Sequence, residues 1–65
     1  MRCDYKGYEI TVERDEGIDG DKDLISIIII RDSNHEMVVD DWVETDKKTL
    51  TIIDEIKAKI DNKLI

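Results

Sequence analysis

Apolar positions along the chain fall into three strand-like stretches and one helical stretch. From Gly7 onward, Tyr8, Ile10 and Val12 alternate with Glu9, Thr11 and Glu13, the period-two pattern of a strand with one apolar and one polar face. Leu24-Ile25-Ser26-Ile27-Ile28-Ile29-Ile30 follows, rich in β-branched residues and apolar on both sides. A strand of that kind expects cover on both faces. Met37 to about Val43 makes a third strand, and Leu50, Ile53, Ile56, Ile60 and Leu64, widened by Ile52, recur at helical spacing. The order β-β-β-α predicts an α+β fold, a three-stranded antiparallel meander with one C-terminal helix packed on one face.

The connections carry weaker signals. Met1 to Lys6 reads as a lead-in. Arg14 to Lys22 reads as a long acidic loop with Gly17 and Gly20 as its permissive points. Ser33-Asn34 predicts a tight reversal, with Asp32 facing His35, Arg31 facing Glu36, Ile30 facing Met37 and Ile28 facing Val39. Thr45, Asp46 and Thr51 are the candidate helix caps, with acidic residues early in the helix and Lys63 late.

This pairing divides the sheet into two faces. Tyr8, Ile10, Val12, Leu24, Ile28, Ile30, Met37, Val39 and Val43 are expected under the helix. Ile25, Ile27, Ile29, Val38 and Trp42 are expected on the other face, with nothing left in the chain to cover them. An apolar centre containing Trp, ringed by charge, has the composition of a protein interface. Those five residues are the candidate interface, with a second copy as the simplest partner.

Composition narrows the function. Sixty-five residues make one small domain spanning 1–65, which buries only about 60% of the surface its unfolded chain exposes. A single cysteine, no signal-peptide pattern and no apolar run of membrane length point to a soluble protein of the cytoplasm. The net charge of −7 argues against direct binding to nucleic acid or to an anionic membrane. Asp15, Glu16, Asp19, Asp21, Asp23, Asp40 and Asp41 make a candidate acidic surface able to steer a basic partner.

Candidate chemistry is thin. Asp19, Asp21 and Asp23 have the spacing that opens a calcium-binding loop. The sixth and twelfth positions hold Leu24 and Ile30, where that loop needs Gly and Glu. One cysteine and one histidine do not make a zinc site. Cys3, His35 and Ser33 lack the spacing of a nucleophile with a positioned base. No catalytic residue, metal or cofactor is expected.

Two readings follow. In the first, this is a small acidic, non-catalytic protein-binding protein, an inhibitor or regulator of a basic, nucleic-acid-handling partner. Its size and charge are those of the DNA-mimicking inhibitors made by phages and mobile elements. In the second, it is an oligomerising accessory module that uses the Ile25/Ile27/Ile29 face, with charge serving only solubility.

Overall fold

The computed structural model describes residues 1–15 and 22–65. Four strands, β1 (Arg2–Tyr5), β2 (Tyr8–Asp15), β3 (Asp23–Arg31) and β4 (Glu36–Thr45), precede one helix, α1 (Thr49–Asp61). The strands form one antiparallel sheet in the order β1-β2-β3-β4. The predicted α+β class and C-terminal helix are present, with one strand more than expected.

The additional strand is β1, in the segment read as a lead-in. Tyr5 faces Tyr8 across a two-residue turn in which Lys6 (φ 48°) and Gly7 (φ 84°) both have positive φ. That geometry matches the right-handed twist of the strands it joins. Val12 N–H donates to Met1 O at 2.7 Å, which carries the pairing beyond Arg2.

β2 and β3 pair with Ile10 opposite Ile29, Val12 opposite Ile27 and Arg14 opposite Ile25. Across β3 and β4, Arg31 faces Glu36 and Ile30 faces Met37, as predicted. Next, Ile29 faces Val39, so Val38 is an extra residue in β4 and a β-bulge. The expected Ile28–Val39 pair is therefore replaced by Ile28–Asp40. The reversal is also longer than expected. Asp32 to His35 form the turn, His35 rather than Asn34 takes the positive φ (54°), and Asn34 Oδ1 accepts the Glu36 N–H at 3.0 Å.

These registers overturn the predicted division of faces. Ile25 and Ile29 are 0% and 1% exposed and share the core with Ile10, Val12, Ile52, Ile53, Ile56 and Ile60. Ile27, Val39 and Val43 pack against the same cluster. Strand positions alternate sides, so Leu24, Ile28 and Ile30 occupy the opposite, helix-free face. A one-residue change of register transfers a whole strand's side chains from one face to the other.

The helix departs from its predicted bounds at both ends. It begins after Lys48, with no side-chain cap and no acidic residue in its first turn. Thr45 Oγ1 instead accepts the Lys47 N–H at 3.1 Å in the approach to the helix. At the other end Lys63 N–H donates to Ile60 O and Leu64 N–H to Lys59 O, at 3.1 and 2.9 Å. That pair of bonds is a Schellman closure, with Lys63 (φ 58°) in the left-handed position that usually holds Gly. The closure carries Leu64 off the stripe, and both Leu64 and Leu50 are exposed.

Polar contacts at both ends orient α1 on the sheet. Arg14 reaches Asp23, Lys47 O and Thr49 Oγ1 at the start of the helix. Tyr5 Oη donates to the Asp61 carboxylate at 2.9 Å, and Tyr8 Oη to Ile65 O at 3.4 Å, at its end. The helix thus lies along β2 in the antiparallel sense, and among the described residues no element covers the second face of the sheet.

Candidate protein-binding face

The helix-free face has an apolar stripe across β3 and β4. Leu24, Ile28 and Ile30 come from β3, and Trp42 and Met37 from β4, opposite Ser26 and Ile30. Trp42 is 55% exposed, Met37 52% and Leu24 38%, while Ile28 and Ile30 are half-buried. Ser26, short and opposite the indole, is itself buried. A monomer seldom leaves Trp, Met and aliphatic side chains contiguous and open to water.

The bulge at Val38 makes this stripe. It keeps Met37 with Ile30 but places Val39 and Val43 under the helix and Trp42 beside the outward residues of β3. Trp42 is therefore on the open face, but apart from the three isoleucines with which the sequence pattern groups it. Ile25, Ile27 and Ile29 are not on that face, because they form the floor on which the helix packs. Val38, the bulged residue, is half-buried against the core. Of the five candidate interface residues, only Trp42 lies on the helix-free face. Leu24, Ile28, Ile30 and Met37 take the places of the other four, and the double-sided apolar pattern of β3 was the sequence sign of the first three.

Charge on this face is one-sided. By register, Asp4, Glu9, Glu13 and Asp15 from β1 and β2, and Asp40 and Glu44 from β4, point to the same side as Ile28. Among the paired strand residues on that side Arg2 is the only base, and it pairs with Glu9 at 3.0 Å. Asp4, Glu9 and Asp32 bring carboxylate oxygens within 4.8 Å of one another. That cluster depends on the Asp4–Glu9 cross-strand pair and on the Asp32 N–H bond to Gly7 O (2.9 Å), neither visible in the sequence pattern.

The predicted acidic surface is only partly of one piece. Asp15 and Asp40 lie on this face, and exposed Asp41 lies on the other side of β4, opposite Ile27. Asp23 is half-buried and engaged with Arg14. Glu16, Asp19 and Asp21 lie outside the described residues. The displaced titrations are on the helix side. The hydrogen bond and charge of Asp61 raise the Lys6 ammonium above its usual value of 10.5. The same hydrogen bond from Lys6, with the one from Tyr5, lowers the Asp61 carboxyl below 3.8.

The thiol and the imidazole have structural settings. Cys3 faces Ile10 and packs against the core, and His35 is exposed in the β3–β4 turn. Among the described residues, no buried side-chain nitrogen or oxygen lacks a hydrogen-bond partner. No helix among them is long and apolar enough to cross a membrane.

No family model, curated protein or solved structure significantly matches the chain.

Proposed function

We propose that this is a non-catalytic binding protein whose helix-free sheet face engages a basic protein partner. The observation that carries the reading is an apolar stripe that includes exposed Trp42, with carboxylates around it and Arg2 as the one base among the paired strand residues on that side. Apolar contact at the centre supplies affinity when water is expelled, and the acidic flanks speed the encounter and select its sign. An inhibitor or regulator of a nucleic-acid-handling protein fits this design, because such proteins carry the complementary basic surface.

Self-association through this face is the weaker reading. A two-fold contact would press Glu13, Asp40 and Glu44 toward the same acidic flanks of a second copy. The experiment is comparative capture from the source lysate with wild type, Trp42→Ala and an Asp40→Lys/Glu44→Lys variant, at low and high salt. The reading expects a basic protein retained by wild type, lost with Trp42→Ala, and weakened by charge reversal and by salt. Equal retention by all three chains, or a stable dimer held by Trp42, would end it.

A further inference from the structure

We propose that the outer edge of β4 takes up an extended, basic segment of the partner as a fifth strand. This rests on the binding function proposed above and assigns its site and the form of its occupant.

β4 is the longest strand, ten residues, and among the described residues only β3 is paired with it. An edge strand presents backbone donors and acceptors that a further chain can pair with. The helix lies along β2, so it leaves an open groove of about 220 Å³ between itself and β4. Ile27, Val43, Ile52 and Ile56 line the groove, with Lys59 and the Lys47–Glu55 ion pair around them. On the opposite side of the same strand stand Trp42 and Met37. Side chains alternate along a strand, so one laid against β4 sends every second residue toward the groove and the rest toward the indole. Strand addition draws affinity from the backbone and specificity from alternate side chains, and β4 offers an apolar place for each set.

Charge selects the occupant. β4 carries Glu36, Asp40, Asp41 and Glu44 and no base. Pairing β4 antiparallel with a second copy about its centre sets Asp40 against Asp40, or Asp41 against Asp41, of that copy, and like charges directly opposite are unfavourable. A strand bearing Lys or Arg meets the reverse situation. The edge is also guarded by its own side chain, since Trp42 N–H donates to Asp41 Oδ1 at 2.9 Å. In the complex a backbone carbonyl of the incoming strand takes that amide, and the Asp41 carboxylate turns to an incoming ammonium.

The test is titration of the ¹⁵N-labelled protein with a ten-residue peptide alternating Lys and Val, at low salt. The expected result is amide shifts concentrated in β4, exchange slowed about tenfold or more there, and cross-strand Hα contacts between β4 and the peptide. An Asp40→Lys/Asp41→Lys variant with unchanged far-UV circular dichroism should bind about tenfold more weakly, the loss of two exposed charge pairs. If the peptide binds but shifts fall on Ile28 and Ile30 while β4 amides keep their exchange rates, the edge is wrong and the binding function stands. If no binding occurs at millimolar peptide, both fall. Protection of β4 that grows with protein concentration alone would make a second copy the occupant and overturn the charge argument.

Discussion

Threonine in place of Ile29, compared with threonine in place of Ile28, tests which side of β3 is the core. Both substitutions keep a β-branched residue in a central strand, so strand propensity changes little. Ile29 is 1% exposed beneath the helix, and Ile28 is half-buried on the open face. At position 29 the change removes roughly one buried methylene, about 0.8 kcal/mol. It also buries a hydroxyl in the aliphatic core, beside Ile10 and Val39, at about 1–3 kcal/mol if no partner is found. The sum is about 2–4 kcal/mol. A chain of 65 residues has a total stability of roughly 3–10 kcal/mol, so Ile29→Thr removes a large share of it. At position 28 water solvates the hydroxyl, and the loss stays below about 1 kcal/mol. Urea unfolding followed by far-UV circular dichroism reads the difference. With a slope of about 1 kcal/mol/M, Ile29→Thr lowers the midpoint by about 2 M or more, and Ile28→Thr by less than about 1 M. Equal losses, or a larger loss at Ile28, would mean that the helix covers the other face and would remove the basis of the proposed binding face.

Three further outcomes follow from backbone and charge. Lys63 occupies a left-handed position at the helix end, so Lys63→Gly should stabilise by about 0.5–1 kcal/mol, read as a rise of a few degrees in the thermal midpoint. Gly7 also has positive φ, but a Cβ there would meet nothing within 4 Å. Gly7→Ala should therefore cost about 1 kcal/mol from backbone strain alone, and Gly7→Asn visibly less in the same melt. The third concerns pH. The Asp61 carboxyl is lowered in the folded state, so its contribution is complete above its ordinary value of 3.8 and fades as pH falls through the lowered one. Lys6 is raised, so its contribution is complete below 10.5 and fades above it. Stability measured against pH should lose part of its acid-side slope in Asp61→Asn, and a slope unchanged below pH 4 would contradict the assignment.

Sequence alone was enough for the features that depend on local pattern. The alternation of Tyr8, Ile10 and Val12, the run from Leu24 to Ile30 and the spacing of Ile52, Ile53, Ile56 and Ile60 each impose one backbone period, and each element formed. The Arg31–Glu36 and Ile30–Met37 pairs were legible because charge and apolarity agreed on one register close to the turn. Trp42 is exposed, but on the face opposite to Ile25, Ile27 and Ile29, with which the pattern groups it. β1 was not legible, because Lys6-Gly7 makes a tight turn from residues with no strong turn signature, and four residues of mixed polarity show no period.

Only tertiary structure decided which face of β3 became the core. Its side chains are apolar on both sides, so the strand itself has no preference between them. The choice was made by neighbours: Ile10 and Val12 across one edge, and Val39 and Val43 across the other once the bulge at Val38 had shifted them. All four stand beside Ile25, Ile27 and Ile29, and the helix closed over the side where three strands agreed. Leu24, Ile28 and Ile30 were left facing outward with Trp42. A bulge is one residue of register, and no periodicity within a single strand encodes it.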